Sequence, residues 1–358
     1  MTGYCFTSRN NIIYYTGVGH EDTAAACVVI PKEGEPVLIT LWTDIQYTKK
    51  KTDMKVFPYA MAAGTIHDHV AKVLDKLGIV DGKFGVERDW MPIGQFEMLQ
   101  ESLPNSTFPE AKEIFLYSWI DDLRMVKTPD EIEKLRKAAK VTDLAMEAAI
   151  RAIKPGVTGF DIIAEAEYVM KKHGAGSWIG AHPTLVAYGE LLNHAHPFSP
   201  KDKIENNGLI TIDLGAVIEG YHSDLCRTIA LGKITKEEEM ATQAVLNGQT
   251  AAIEVMRSGV SISDVQIATL EGFGDYKKYH FGGLIGHGLG LGNGPQAFDS
   301  PFIAKGDERK MEKNTVWALI EIPPFVPGVG APRFEDAILI TDDKPELLTK
   351  YPRELIRI

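Results

Sequence analysis

Residues Leu209 to Leu231 read LITIDLGAVIEGYHSDLCRTIAL and place Asp213 and Asp224 inside two runs of strongly β-forming residues. Between the runs, the segment around Gly220 has the composition of a turn, which predicts an antiparallel hairpin of two long strands. Folding back at this turn brings the two aspartates onto neighbouring strands. A carboxylate in a buried strand has no water to solvate it, so each aspartate is expected to be paired or to bind a cation.

A second pair of strand carboxylates lies near the C-terminus. Glu321 stands in VWALIEIPPF and Glu335 in PRFEDAILIT, with PPFVPGVGAP as the return loop. Between the two pairs, GGLIGHGLGLGNG puts His287 among glycines, where the backbone can approach a site closely. Four carboxylates and one imidazole form an oxygen-rich set that can hold two divalent ions if one or two carboxylates bridge them. The alternative is that these acids only form salt bridges within two hairpins.

The order of these segments resembles a known family. IDLGA, GYHSDLCRT, GHGLG, a strand glutamate followed by prolines, and RFEDAILIT are similar, in this order, to the metal-dependent aminopeptidases and prolidases of pita-bread fold. The resemblance spans about residues 8–341. It implies that the metal ligands are Asp213, Asp224, His287, Glu321 and Glu335. It also implies that Asp224 and Glu335 bridge two ions. Asp213 would bind one of these ions, and His287 and Glu321 would complete the site of the other.

The resemblance implies a metallopeptidase, an enzyme that hydrolyses an amide bond in short peptides as an Xaa-Pro dipeptidase or Xaa-Pro aminopeptidase. A metal-bridged hydroxide would attack the carbonyl, with Glu321 as proton acceptor and His196 as donor near the leaving nitrogen. The ligand set suits Mn, Co, Zn and Fe equally. Two alternatives stay open: a creatinase-like C–N hydrolase of a non-peptide substrate, and a catalytically silent binding protein on the same scaffold. Such relatives generally lack part of the ligand set, which is complete here.

Three histidines lie directly before the first ligand strand, in SWIGAHPTLVAYGELLNHAHPFSP: His182, His194 and His196. A histidine cluster alone serves a polar loop as well as a site. From the resemblance, His196 falls where prolidases place the histidine that contacts the scissile amide, and His194 is the alternative for this role. We expect His182, His194 and Arg333 to bind substrate.

Two positions differ from the family pattern. Gly294 stands where a second histidine usually follows the ligand histidine, and Phe298 stands where prolidases often have a basic residue. The first difference removes a hydrogen-bond donor to the tetrahedral intermediate, which predicts slow hydrolysis of ordinary Xaa-Pro dipeptides. The second puts recognition of a free C-terminal carboxylate in doubt.

The pattern along the chain predicts a mixed α/β protein of two domains. We expect a small creatinase-like domain over residues 1–122, and a pita-bread catalytic domain over residues 123–358 with a curved antiparallel sheet covered by helices. In the first domain, NIIYYTGV, AAACVVIP and EPVLITLW are strand-like, and residues 65–77 and 95–103 have helical spacing. Near the boundary, Thr128, Pro129 and Glu131 form a capping box before a long amphipathic helix.

Composition and net charge indicate which binding partners and which cellular compartment to expect. The 358 residues are 44% hydrophobic and 24% charged, as in ordinary globular proteins, and carry a net charge of −11. This charge disfavours nucleic acid and anionic membrane surfaces. Three scattered cysteines, no long apolar run and no signal-like N-terminus indicate a cytoplasmic protein without a membrane span. We expect a short peptide as substrate and a homodimer as the assembly.

Overall fold

The computed structural model describes residues 2–19, 26–79, 81–87, 91–109, 119–177, 184–197, 199, 201–292 and 298–358. The chain divides into two compact units, Met1–Ser118 and Trp119–Ile358. Each unit contains a sheet and helices of its own. Within the described ranges, no helix is both long enough and apolar enough to cross a membrane.

The first unit is a mixed sheet with helices. Its described strands are β1 Gly3–Phe6, β2 Ala26–Pro31, β3 Val37–Leu41, β4 Lys55–Tyr59 and β5 Phe84–Val86, and its described helices are α1 Arg9–Thr16, α2 Ile45–Thr48, α3 Ile66–Lys76 and α4 Ile93–Ser102. The strand order is β4-β3-β2-β1-β5. The pairs β1–β2 and β2–β3 are antiparallel, whereas β3–β4 and β1–β5 are parallel. Apolar side chains of the sheet, α3 and α4 form one core.

The prediction of a strand over NIIYYTGV is wrong, because this segment forms α1. The Ser8 hydroxyl accepts a hydrogen bond from the Asn11 amide at the start of the helix, and Gly17 ends it in the left-handed conformation at φ 68°. The buried carboxylate of Glu87 also accepts from the amides of Thr7 at 2.5 Å and Ser8 at 2.7 Å. Capping at both ends therefore outweighs the β propensity of the segment.

The second unit contains the longer helices, which are α5 Trp119–Met125, α6 Pro129–Ala152, α7 Gly159–Lys172, α8 Lys236–Val255 and α9 Ile262–Gly272. The predicted capping box of α6 is confirmed. The Glu131 amide donates to the Thr128 hydroxyl at 3.3 Å, and the Glu131 carboxylate accepts from the Thr128 amide at 2.8 Å. These two bonds satisfy backbone donors that the first helical turn leaves without a partner.

Most strands of the second unit join one large antiparallel sheet. The described strands are β6 Gly176–Ser177, β7 Leu185–Tyr188, β8 Gly208–Leu214, β9 Ala216–Ile218, β10 Tyr221–His222, β11 Leu225–Leu231, β12 Leu284–Leu289, β13 Phe298–Ala304, β14 Val316–Leu319, β15 Glu335–Leu339, β16 Glu346–Leu347 and β17 Ile356–Arg357. The large sheet has the order β13-β12-β14-β15-β11-β8-β7, with β16 antiparallel to β15 and the short β17 parallel to β11. A small sheet has the order β10-β9-β6. A small N-terminal unit and a helix-covered antiparallel sheet confirm the predicted fold class.

The hairpin predicted from the central stretch is present. β8 and β11 pair along seven positions, with Asp213 opposite Cys226. The chain between them forms the short hairpin β9–β10, whose two turn residues, Glu219 and Gly220, have φ of 50° and 88°. Positive φ at both central positions is the geometry of a tight type I′ turn, which favours glycine.

The helices cover one face of the large sheet. Apolar side chains of α6 and α7 pack on Ile210, Ile212 and Leu214 of β8, and α8 and α9 pack on residues of β12, β14 and β15. Because side chains alternate along a strand, Asp213 and Glu335 project from the opposite face. The sheet thus separates an apolar helical layer from a polar face.

A buried ion pair lies on the helical side of the sheet. Arg227 and Asp336 are both 0% exposed, and the Arg227 guanidinium donates to the Asp336 carboxylate at 2.7 Å. Arg227 also donates to the carbonyl oxygens of Cys226 and Glu335 at 2.8 Å. The Gln249 amide and the Thr349 hydroxyl donate to the same carboxylate. Arg227 therefore fixes the backbone of β11 and β15 directly behind Asp224 and Glu335.

Substitution of Arg227 by Met should destabilise the second unit strongly. The change leaves the Asp336 carboxylate buried without its cation, and removal of one partner of a buried pair commonly costs about 3–5 kcal/mol. Arg136→Met is the matched control, because Arg136 pairs with Glu346 at the exposed surface, where such pairs contribute about 0–1 kcal/mol. Urea denaturation followed by circular dichroism measures both changes. Equal losses would contradict the structural role of Arg227.

Candidate metal centre

Adjacent strands of the large sheet bring the predicted carboxylates together. Asp213 lies in β8 and Asp224 directly precedes β11. Glu335 begins β15 and is paired with Cys226, the residue opposite Asp213. Glu321 follows the end of β14, the other neighbour of β15. Strand pairing alone thus brings together four acids from distant parts of the chain.

The ligand atoms form two overlapping groups. Atoms of Asp224, His287 and Glu335 all lie within 4.8 Å of one another, and so do atoms of Asp213, Glu321 and Glu335. All five residues are at most 3% exposed. Glu335 belongs to both groups. The structure therefore brings the five predicted ligands into one buried cluster, with Glu321 grouped with Asp213.

His287 is held in β12 by close strand contacts and by its own ring. Its Nδ1 donates to the Gly288 carbonyl oxygen at 2.8 Å, which leaves the Nε2 lone pair directed at the cluster, 3.5 Å from Asp224 Oδ2. A Cβ at Gly286 would lie 2.4 Å from the Ala318 carbonyl oxygen, and one at Gly288 would lie 2.9 Å from that of Asp299. The two flanking glycines therefore permit the strand spacing that places the imidazole.

Arg333 is the cation of the cluster and is 5% exposed. Its guanidinium donates to Asp213 Oδ2 at 2.7 Å and to Glu321 Oε2 at 3.2 Å, and also to the carbonyl oxygens of Glu321 and Ala195. We predicted that Arg333 binds substrate, and this stays a prediction. Its observed role is to hold two of the carboxylates in place.

The carboxylates of the cluster carry more negative charge than the described positive groups beside them neutralise. Burial raises the pKa of Asp213 to about 7, although Arg333 opposes the shift. Burial and the charges of Asp224 and Glu321 raise the pKa of Glu335 far above its usual range. Burial also raises the pKa of Asp224, against the opposing effect of His287. The carboxylates thus lie close together without enough cations to stabilise their ionised forms.

Several ligand atoms also lack hydrogen bonds. In the part of the chain that the structure describes, no hydrogen-bond partner is found for Asp213 Oδ1, both oxygens of Asp224, both oxygens of Glu335 and His287 Nε2, although His287 Nε2 and Asp224 Oδ2 lie 3.5 Å apart. Buried polar atoms without partners are rare in folded proteins, because each costs desolvation free energy. Carboxylate oxygens with one imidazole nitrogen are the donors that divalent first-row metals take. The residues therefore fit a site for divalent ions.

Glu321 and His196 form a contact at the edge of the cluster. His196 Nε2 donates to Glu321 Oε1 at 2.5 Å, and the imidazole is 32% exposed whereas the carboxylate is 4% exposed. Burial alone would raise the pKa of Glu321, but Arg333 and His196 outweigh burial and lower it. An ionised carboxylate and a solvent-accessible imidazole are thus in direct hydrogen-bond contact.

The other predicted positions have different outcomes. His182 and Gly294 lie outside the described residues. His194 is exposed and lines a small cavity beside Asp213 and Arg333. Phe298 packs its ring on His287, with ring centroids 4.2 Å apart. In the sequence, Phe298 was noted only because it differs from the family pattern. Its contact with His287 was not predicted.

Models of two known protein families match this chain. The family model for metallopeptidase family M24 matches residues 133–342, and the creatinase/prolidase N-terminal domain matches residues 1–126. The chain is 33% identical over 261 residues to an Xaa-Pro dipeptidase of Pyrococcus furiosus, which covers 73% of each protein.

Solved structures of similar proteins share the fold. An Xaa-Pro dipeptidase from Bacillus anthracis has a TM-score of 0.87 at 28% identity and covers 100% of this chain and 95% of its own. An X-Pro aminopeptidase from Thermotoga maritima has a TM-score of 0.84 at 23% identity and covers 100% and 98%. The second similarity concerns the fold alone.

Divalent ions should bind and stabilise the metal-free protein. A ligand that binds only the folded state adds about 2.7 kcal/mol at a free concentration 100 times its Kd. Thermal denaturation with Mn²⁺, Co²⁺ or Zn²⁺ after EDTA treatment measures this gain. Asp224→Ala removes a carboxylate from the cluster and should abolish most of this gain in stability. Glu308 is an exposed acid, and Glu308→Gln should keep the gain. An unchanged response in Asp224→Ala would contradict the site.

The stabilisation by metal should grow with pH. Because burial raises the pKa of Asp213 to about 7, the folded metal-free protein retains a proton there that the unfolded chain releases near its ordinary pKa. The free energy of unfolding of the metal-free protein should therefore fall as pH rises through this window. A metal ion must displace the proton, so its affinity should rise until about pH 7 and then level off. Calorimetric titration with Mn²⁺ between about pH 5 and pH 8 tests this. In Asp213→Asn the increase of Mn²⁺ affinity with pH should be smaller. An increase as steep as in the wild type would count against Asp213 as the group that releases the proton.

Proposed function

This chain belongs to metallopeptidase family M24, and we propose that it cleaves the amide bond before proline in short peptides, as an Xaa-Pro dipeptidase or aminopeptidase. The predicted resemblance to the pita-bread metallopeptidases is confirmed by the family match and by the shared fold. The observation that carries the proposal is the pair of ligand groups that share Glu335. A similar protein of Pyrococcus furiosus is an Xaa-Pro dipeptidase.

We assign two divalent ions to the cluster, held by Asp213, Asp224, His287, Glu321 and Glu335. When bound, such ions lower the pKa of a water molecule and polarise the scissile carbonyl. Mn, Co, Zn and Fe suit these donors, and availability selects among them as much as affinity does. Glu335, which belongs to both groups, would contribute ligand atoms to both. Asp224 belongs to one group, with His287 and Glu335, and both of its oxygens lack a hydrogen-bond partner among the described residues.

Glu321 and His196 have the arrangement for proton transfer during hydrolysis. The low pKa keeps the Glu321 carboxylate ionised, so it can accept a proton from the attacking water as the oxygen bonds to the carbonyl carbon. His196 Nε2, 2.5 Å from Glu321 Oε1, can donate a proton to the leaving nitrogen as the C–N bond breaks. The contact between them offers the proton a direct route from the water to the amine product. His196 is accessible to substrate because its side chain is partly exposed.

Arg333 acts here as a positioning residue. Its bonds to Asp213 and Glu321 hold two carboxylates that would otherwise repel each other. It fixes Glu321 in the orientation that reaches His196. A contact between Arg333 and the substrate stays a separate prediction.

The cellular compartment and the oligomeric state remain predictions. The three cysteines are free and buried, which supports the proposed cytoplasmic location, because a reducing compartment keeps thiols unpaired. The proposed homodimer is testable by sedimentation.

Glu321→Gln should abolish turnover while most of the metal stays bound. The amide keeps an oxygen ligand but cannot accept a proton, and general-base catalysis contributes about 10²–10⁴-fold. The assay follows hydrolysis of Xaa-Pro peptides of two and three residues, with Mn²⁺, Co²⁺ or Zn²⁺ added, and measures bound metal by elemental analysis. Asp224→Ala should lose both metal and activity, and Glu308→Gln should lose neither.

Two results would contradict this assignment. Equal loss of metal in Glu321→Gln and Asp224→Ala would remove support for Glu321 as the base. Absence of hydrolysis by the metal-loaded wild type on the whole peptide panel would refute the proposed function.

A further inference from the structure

The pairing of β12 with β13 is irregular directly beside the candidate metal ligand His287. His287 is paired with Phe302, whereas the next residue, Gly288, is paired with Asp299, so β13 has two extra residues at this point. A bulge of this kind bends the strand and changes the direction in which a neighbouring side chain points. The direction of the His287 imidazole therefore depends on what holds the bulge in place.

A buried ionic cluster holds one end of this bulge. Asp299 accepts a hydrogen bond from the Arg124 guanidinium at 2.7 Å, and the Lys127 ammonium lies 3.6 Å from its other carboxylate oxygen. We call these three residues, all at most 4% exposed, the Asp299 cluster. Buried charges lose their hydration, and apolar side chains of similar volume would fill the same space without that cost. Packing alone therefore does not account for the cluster.

The Asp299 cluster also fixes the segment that follows the ligand histidine. A Cβ at Gly290 would lie 2.1 Å from Asp299 Oδ2 and 3.1 Å from Lys127 Cε, so the backbone approaches the cluster as closely as only glycine allows. The Arg124 guanidinium donates to the Gly292 carbonyl oxygen at 2.6 Å. The cluster thus joins β13 to the chain that leaves β12.

A second candidate ligand is tied to the same segment. The Gly290 carbonyl oxygen accepts a hydrogen bond from the His222 amide at 2.8 Å. His222 ends β10 and lies two residues before Asp224. Asp224 and His287 belong to the same ligand group, together with Glu335. The backbone held by the cluster therefore leads to two of the three residues in this group.

The other ligand group has a different support. Arg333 donates to Asp213 Oδ2 at 2.7 Å and to Glu321 Oε2 at 3.2 Å, and both acids belong to the second group. Each group is thus held by a buried cation of its own, one through direct bonds to the ligands and one through the backbone.

We propose that the Asp299 cluster positions the ligands of one ion of the metal centre, the ion held by Asp224, His287 and Glu335. Asp299 is a positioning residue, because it acts through the backbone of β12 and β13. The cluster sets the affinity for this ion and leaves the affinity for the other ion unchanged. This inference rests on the two-ion site proposed above.

Calorimetric titration of the EDTA-treated protein with Mn²⁺ tests this selectivity, because two ions give two binding events. Asp299→Asn keeps the side-chain shape and removes the charge that Arg124 binds. Loss of such a supporting contact typically lowers metal affinity by about 10- to 100-fold. We expect this decrease in one event and no measurable change in the other. Asp307→Asn is the matched control, since Asp307 pairs with Arg309 beyond the end of β13 and should affect neither event.

A second substitution identifies the event that Asp299 controls. His287→Ala removes a ligand of the first group and should abolish one event. In this background, Asp299→Asn should leave the affinity of the remaining ion unchanged, because the ion that it positions is already absent. A decrease of about 10- to 100-fold in the remaining event would assign Asp299 to the wrong ion and overturn the inference.

Gly290→Ala tests the same role without removing a charge. Its methyl group would lie 2.1 Å from Asp299 Oδ2, so the carboxylate has to move, and the same event should weaken. Gly282→Ala is the control, because no atom lies within 4 Å of a Cβ at that position. Thermal denaturation of the metal-free variants identifies one that has not folded. If Asp299→Asn does not fold, Gly290→Ala decides.

Three results would count against the inference. Equal decreases in both events would indicate a general loss of packing, and wild-type affinities in folded Asp299→Asn and Gly290→Ala would show that the cluster does not position the ligands. Either result leaves the proposed function standing. A wild-type protein that binds fewer than two ions would refute the two-ion assignment together with this inference.

Discussion

The fold of the second unit depends on one electrostatic constraint, the burial of four carboxylates in a single cluster. Four negative groups, Asp213, Asp224, Glu321 and Glu335, face one guanidinium, that of Arg333, which leaves a charge of about −3 if all are ionised. Without cations, protonation must relieve this repulsion, and burial raises the pKa of Asp213 to about 7. The two divalent ions that we propose for this site would offset the same charge without protonation. The metal-free and metal-loaded states would therefore differ mainly in whether protons or metal ions compensate the negative charge of the cluster.

A rigid sheet is needed to hold groups that repel one another. The four acids come from strand pairs whose partners are fixed by backbone hydrogen bonds, and Arg227 fastens two of these strands from the opposite face through the carbonyl oxygens of Cys226 and Glu335. The glycines beside His287 let β12 lie close to its neighbours. The two faces of the sheet thus have complementary roles, since the helical face supplies packing and a buried ion pair and the polar face carries the chemistry.

The sequence predicts most of the metal centre, because a carboxylate within a β-forming run is a local anomaly that a single stretch reveals. The turn at Gly220 and the capping box at Thr128 are local signals as well, and the structure has both. The helix α1 was missed because its stabilising partner, Glu87, lies far along the chain from Ser8. The same reason applies to Arg227 and Phe298. Their roles depend on Asp336 and His287, which only the completed sheet brings close.

The buried cations described around the candidate metal centre are each paired with carboxylates of the protein. Arg333 is engaged in balancing the ligand carboxylates, and Arg124 and Lys127 are engaged with Asp299. A buried cation that stabilises one carboxylate within the protein has little left for a second carboxylate, because its donors are occupied and its field is partly neutralised. Phe298, which precedes Asp299, packs its ring on His287 instead. The described Arg333, Arg124 and Lys127 therefore serve the protein's own carboxylates, two of them on the metal side of the sheet and one in β13.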